Sequence, residues 1–343
     1  MKILFLSIKE EGYSRTSTYF SYLKSQAHDC DFFQIEPRNM LKDLRRIKAE
    51  LSTNPAIVVV GSASQLLVIP TILVFKLRPF LDAGWSLFES TIVTRERAGR
   101  FKQRACKAYL IDLAATIFSY KVFLESHRQV SWYKKVFFTN SRKCVTLYTG
   151  VDEAEFNPGA LPPSNSHKVF KIVFRGRSNE EAGLDVLAKA TRILSQEDVD
   201  FLVISNLDQS KFDFSARTRL INEYFKSKKS IAANIIEADL SLGQLSNHPR
   251  LGRTIPHKAF ESAFLGIPYL TARNFGILEV FQENLEIFCF DPGSAEDLAA
   301  KIMFLKSERE ILLESGRSIK EKYSKTLSQK VLSEEFLRVV TSK

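Results

Sequence analysis

Cysteine is scarce. The chain has four in 343 residues, at positions 30, 106, 144 and 289, and none sits in a CxxC pair. That spacing excludes a disulfide framework and a cysteine-rich zinc site, and it suits a reduced, cytoplasmic protein. Long apolar runs are also missing. The best candidate, Leu66–Phe75 (LLVIPTILVF), falls short of the roughly 18 residues a membrane span needs, and Pro70 interrupts it. The opening MKILFLSIKEEG lacks the form of a secretory signal: its apolar run is short, acids follow at once, and no small-residue cleavage site appears. The five histidines do not cluster, and no Ser-His-Asp or Cys-His arrangement can be argued. What is present is ordinary: 45% hydrophobic and 26% charged residues, enough apolar side chain for a core and too much for a disordered chain.

Charge is uneven. The formal net charge is +10. Up to Pro158 there are 23 basic and 15 acidic residues, against 26 and 24 beyond it. The first half therefore carries most of the excess, which makes phosphate-bearing or anionic-membrane partners plausible there.

Continuous apolar runs at Lys2–Ser7 and Ala56–Gly61 read as parallel strands buried on both faces. Further strands are expected at Cys30–Ile35, Lys121–Leu124 and Lys143–Tyr148. Helices are expected at Arg15–Ser25, Met40–Leu51, Gln65–Leu77, Phe101–Phe118 and Arg128–Lys135. Asn157–Lys168 (NPGALPPSNSHK), with three prolines, has linker chemistry. The alternation then restarts. Strands are expected at Val169–Phe174, Asp200–Ser205, Ile231–Ile236, Leu240–Leu245 and Ile267–Thr271. Helices are expected at Gly183–Ser195, Arg217–Lys226, Pro256–Leu265, Ala295–Lys306, Glu308–Ser315 and Leu327–Val340. The fold class is α/β, with two doubly wound Rossmann-like domains facing across a cleft. The divisions fall at 1–157, a linker at 158–168, 169–326, and a C-terminal helix at 327–343 that packs back on the first domain.

Chemistry concentrates in the second half. In Arg253–Glu261 (RTIPHKAFE), Pro256 suits a helix start, and Lys258 and Glu261, three apart, share a face. A cation, a helix N-terminus and a carboxylate then converge beside a strand, which suits an anionic ligand bearing sugar hydroxyls. A plain amphipathic helix with a surface Lys–Glu pair fits the pattern equally well. Gly176 and Arg177 follow a strand directly, where ligands bind, although a surface arginine in a loop explains them too. Gly276 and Ile277 (NFGILE) could open a helix onto the same cleft, or form an ordinary turn. Ser294 is the expected cap of the helix that follows. Two Asp-x-Asp pairs, Asp29–Asp31 and Asp198–Asp200, lie at the wrong strand ends for a metal over the cleft, so no metal site is assigned. Val93–Lys107 carries six basic residues and one acid. It reads either as a contact for anionic lipid headgroups or as a solvated helix face.

These segments, in this order, resemble the retaining nucleotide-sugar glycosyltransferases of GT-B fold, family four in the usual classification. Thr149–Pro158 (TGVDEAEFNP) resembles the family's NGVD…F.P. Phe174–Ala190 resembles its GR…KG.D.L..A, Ala238–Thr271 its AD…P.K..EA.A.G.PV, and Asn274–Leu298 its G…E…P.D...LA. Phe80–Arg97 looks like one branch of the family. Departures are specific. Where the family often has two glutamates eight apart, Glu261 matches the second and Arg253 replaces the first. The family's lysine after GR falls on Ala182. Its N-terminal glycine pair is reduced to Gly12, and Asp82 stands roughly where a histidine is usual.

The resemblance implies transfer of a sugar from a UDP- or GDP-sugar to a glycan or lipid-linked acceptor, with no separate cofactor. It implies Arg177, Arg253 and Lys258 as catalytic cations. Gly176, Pro256, Glu261, Gly276 and Ile277 would bind the donor, and Asp82 and Arg15 would lie on the acceptor side. Two other readings stand beside it: a sugar-nucleotide binder or epimerase of the same fold, and a basic nucleic-acid- or membrane-binding protein. No nucleic-acid recognition motif accompanies the charge, so nucleic acid is not the expected partner.

Overall fold

The first strand shows how the sequence builds the sheet. In β1 (Ile3–Ser7) every residue is buried, and successive side chains enter two different cores: Leu4 and Leu6 one, Ile3 and Phe5 the other. An unbroken apolar strand has this arrangement when helices cover both faces of a parallel sheet. The computed structural model describes residues 1–94, 101–159, 169–222 and 227–342. It divides into two compact units, one of residues 1–152 with 329–343, the other of residues 153–328.

The first unit contains β1, α1 (Ser14–Ser25), β2 (Cys30–Gln34), α2 (Met40–Glu50), β3 (Ile57–Val60), α3 (Val68–Phe75), β4 (Phe80–Gly84), α4 (Leu87–Thr94), α5 (Phe101–Phe118), β5 (Val122–Leu124), α6 (His127–Val136) and β6 (Cys144–Thr146). All six strands are parallel, in the order β2-β1-β3-β4-β5-β6. Helices α2, α3, α5 and α6 cover one face. The other is covered by α1 together with the C-terminal helix, whose Phe336 stacks on Phe5 and Tyr19.

The second unit runs β7 (Phe170–Arg175), α7 (Leu184–Ile193), β8 (Val199–Ile204), β9 (Thr218–Ile221), α8 (Lys228–Ile236), β10 (Leu240–Leu242), α9 (His257–Leu265), β11 (Tyr269–Ala272), β12 (Phe288–Phe290), α10 (Ala295–Ser307) and α11 (Arg309–Lys322). The last helix, α12 (Gln329–Thr341), returns to the first unit. Strand order here is β12-β11-β10-β7-β8-β9, all parallel. Numbered within the unit this is the 3-2-1-4-5-6 order of dinucleotide-binding folds, with its switch point between β7 and β10.

Three expectations fail locally. Arg217–Lys226 is not a helix: Thr218–Ile221 is an edge strand paired with β8, and residues 223–226 lie outside the described residues. Ile231–Ile236 is not a strand but part of α8, which Ser227 starts by accepting the Ser230 N–H. Gly276 opens only a short 3-10 turn, Ile277–Glu279. Of the linker, residues 160–168 lie outside the described residues, as do residues 95–100 of the basic stretch. Ser294 does cap α10, accepting the Asp297 N–H at 3.1 Å.

One buried carboxyl in the first unit makes stability depend on pH. Asp112 on α5 accepts Ser86 Oγ at 2.7 Å and the Phe88 N–H at 2.9 Å, fixing the start of α4. Burial pushes its carboxyl up to about 7, against the pull of those donors. The native state therefore keeps a proton that the unfolded chain releases near its ordinary value of 3.8. Unfolding releases that proton, so stability falls as pH rises from about 4 to about 7 and then levels off. Asp112→Asn removes this component, and denaturant titrations across that range will show a flatter profile than the parent's.

Candidate active site

Lys258 stands at the switch point of the second sheet. It is the second residue of α9, and its ammonium reaches back between the ends of β7 and β10. Nζ donates to the Gly243 carbonyl at 3.1 Å and lies 4.2 Å from the centre of the Phe174 ring. Gly176, directly after β7, leaves the room: a Cβ there would come within 3.1 Å of Lys258 Nζ. A backbone without a side chain thus passes beside a buried cation at the carboxyl ends of the strands, where doubly wound sheets bind their ligands.

Burial is the main influence on this lysine, and it brings the ammonium down to about 7. The Arg175 charge acts in the same direction, while Glu261 and Glu181 oppose it. A lysine so poised gains a proton when an anion arrives.

Glu261, one turn on, is fully buried. Its Oε2 lies 3.0 Å from Arg175 Nη1, and its Oε1 lies 3.4 Å from His257 Nδ1. A second pair ties the loop after β7 to the loop after β10: Arg250 Nη1 meets Glu181 Oε1 at 2.7 Å, and Ser246 Oγ donates to the Glu181 carbonyl at 3.0 Å. Arg175, Glu181 and Arg250 were not anticipated. The signal for Arg175 was available, as a cation at the carboxyl end of a mostly apolar strand.

The other expected residues fall as follows. Arg177 is exposed on the loop two residues past β7. Arg253 is half-buried after the 3-10 turn Pro249–Gly252, in the connection from β10 to α9. Pro256 precedes α9 in extended conformation, and no side chain caps that helix start. Gly276 is a packing glycine: a Cβ would lie 2.2 Å from the Thr254 carbonyl oxygen. The Ile277 N–H is already bonded to Asn274 Oδ1 at 2.9 Å, so it does not face a ligand as the sequence suggested. Ala182 is part of the hydrophobic core, where a lysine would bury an unpaired charge.

Arg15 and Asp82, in the first unit, come together. Arg15 Nε lies 3.0 Å from Asp82 Oδ1, both side chains are buried, and Ser62 Oγ donates to Asp82 Oδ2 at 3.0 Å. Burial raises the Asp82 carboxyl, with Arg15 and Ser62 opposing. Asp82 sits where the register of β4 against β5 shifts.

Each Asp-x-Asp pair meets a base. Lys2 lies 2.9 Å from Asp31, and Arg217 lies 2.9 Å from Asp200 and 3.1 Å from Asp198. Among the described residues no group of three or more His, Cys, Asp or Glu side chains converges as metal ligands would. No helix among them is long and apolar enough to cross a membrane.

Residues 162–325 match the family described as glycosyl transferases group 1. Over the whole chain the fold is that of solved GT-B glycosyltransferases. HepE of Anabaena, solved in complex with UDP, superposes with a TM-score of 0.71 at 14% identity, covering 100% of both chains. A glycosyltransferase of Rickettsia africae gives 0.73 at 15%, covering 100% of this chain and 99% of the other. Sucrose-phosphate synthase of Thermosynechococcus elongatus gives 0.72 at 11%, covering 98% of each. No curated protein sequence matches the chain.

Proposed function

We propose, from the premise that residues 162–325 are a glycosyl transferases group 1 domain, that the chain transfers a hexose from a UDP- or GDP-sugar to a hydroxyl of a glycan or glycolipid, with retention and without a metal. The observation that carries this is Lys258 at the switch point, buried beside Gly176 and within the field of the Arg175–Glu261 pair. HepE, solved with UDP and with UDP-glucose, shares the fold and supports a uridine nucleotide.

In the reaction the bond from the anomeric carbon to the diphosphate breaks, and its electron pair stays on the phosphate oxygen. The acceptor oxygen bonds to that carbon on the same face, and the acceptor proton passes to the departing diphosphate. The developing charge needs fixed cations. Lys258 supplies the buried one. Arg177 and Arg253, on loops at the same strand ends, supply the outer two. Glu261, already oriented by Arg175, accepts the ribose hydroxyls. Gly176 admits the diphosphate, the first turn of α9 after Pro256 receives it, and Gly276 with Ile277 shapes the pocket wall. The acceptor belongs with the first unit, near Arg15 and Asp82. The chain works in the cytoplasm, at the inner face of the membrane.

A melting screen against nucleoside diphosphates tests the reading. Ligand at 100 times its dissociation constant adds about 2.7 kcal/mol. Stabilisation by UDP or GDP, followed by an α-linked product from an α-linked donor in NMR spectra, is the expected result. Stabilisation with an epimerised sugar and no transfer points to an epimerase; stabilisation with no sugar turnover points to a binder. A nucleic-acid gel shift with no nucleotide effect overturns the whole reading.

A further inference from the structure

The first unit exposes apolar side chains in a group. On α3, Ile69 and Leu73 stand one turn apart facing outward, Leu73 being 56% exposed, and Leu66 and Leu77 extend the stripe at either end. On α5, which packs beside it, Leu110, Ile117 and Phe118 are exposed as well. Between the two helices runs a groove of about 540 Å³ whose lining includes Ile69, Leu110, Ile111 and Ala114. Scattered apolar residues on a surface mean little, but a contiguous group marks a contact face.

The charge around this face has one sign. Between residues 51 and 124 every acid among the described residues, Asp82, Glu89 and Asp112, is buried. Lys76, Arg78, Arg104 and Lys107 are exposed. Cations are also fixed where the stripe ends. Lys48 Nζ donates to the Val74 carbonyl at 2.8 Å, Arg78 to the Ile117 and Phe118 carbonyls at 2.7 and 3.1 Å, and Lys143 to the Ile117 carbonyl at 3.1 Å. The cations at the C-terminal ends of α3 and α5 are thereby held beside the exposed Leu73, Ile117 and Phe118.

The geometry points to α3 and α5 as a bilayer-docking face: their exposed leucines, isoleucines and Phe118 enter the acyl boundary of an anionic membrane while the surrounding lysines and arginines meet headgroup phosphates. Apolar side chains flanked by bases are the requirement for lying in an interface. A second copy seated on the same face would bring like charges together, whereas an anionic bilayer neutralises them. Of the basic stretch 93–107, Arg104 and Lys107 take part. The inference does not depend on the donor chemistry of the second unit.

Vesicle sedimentation with the full chain tests it. The parent sediments with phosphatidylcholine vesicles that contain phosphatidylglycerol, not with phosphatidylcholine alone, and added salt weakens the binding. The double variant Leu73→Asp, Phe118→Asp loses binding about tenfold or more. Because both residues are exposed and outside the nucleotide unit, its circular dichroism and its stabilisation by UDP stay those of the parent. Failure of the parent to sediment with the anionic vesicles overturns the proposal, as does undiminished sedimentation of the double variant. If light scattering instead finds a parent dimer that the double variant abolishes, with vesicles ignored, the face belongs to a second copy and the membrane assignment falls.

Discussion

Lys258→Ala loses turnover by roughly a hundred- to a thousandfold, the cost of removing one preorganised donor to a developing negative charge. The fold survives the change. The lysine is buried and its ammonium is disfavoured there, and Glu261 keeps Arg175 at 3.0 Å, so its removal costs little more than the hydrogen bond to the Gly243 carbonyl. Two measurements separate a role in charge neutralisation from a packing role. Lys258→Met keeps the aliphatic length against Phe174 yet loses activity as Ala does. Calorimetry of UDP binding in buffers of different ionisation heat shows proton uptake by the parent near and just above pH 7, and less by Lys258→Met. The sign follows from the folded value of about 7: the free lysine is largely deprotonated at pH 8, and a bound diphosphate restores its proton. Full activity in either variant removes Lys258 from the mechanism.

How much of this could be read beforehand depends on the kind of information each residue carries. Buried parallel strands such as Ile3–Ser7 announce themselves because both faces need apolar side chains. The Lys258–Glu261 spacing follows from helix geometry alone, whereas Gly176 meets Lys258 only in the folded chain. The errors at 217–236 arise where that signal is weak. Thr218–Ile221 is a short edge strand with polar residues, and Ile231–Ile236 is an apolar run too short for its period to distinguish helix from strand. Partnership across the fold was out of reach. Nothing local reveals that Arg175 on β7 faces Glu261 on α9, or that Glu181 meets Arg250, because those contacts exist only once β7 and β10 become neighbours. Arg15 and Asp82 were singled out separately for the acceptor side, and only folding makes them a buried pair.

The Arg175–Glu261 pair gives the second large effect. Arg175→Met keeps the stem of the side chain and removes the charge that holds a fully buried carboxylate. Leaving one member of a buried ion pair behind costs about 3 kcal/mol or more. Some of that returns, because Lys258 loses a repulsive neighbour and keeps an attractive one, so its proton is held more tightly than in the parent. The variant is therefore least stable, relative to the parent, at alkaline pH, where Lys258 no longer supplies a counter-charge. Adding Glu261→Gln to Arg175→Met recovers most of the lost stability, since both charges are then gone. It does not recover donor binding, since the carboxylate proposed to accept the ribose is gone as well. Urea titrations of the two single variants and the double variant close the cycle. An Arg175→Met protein as stable as its parent across pH 6 to 9 would show that Arg175 anchors nothing. Equal stability of single and double variants would show that Glu261 finds its counter-charge elsewhere.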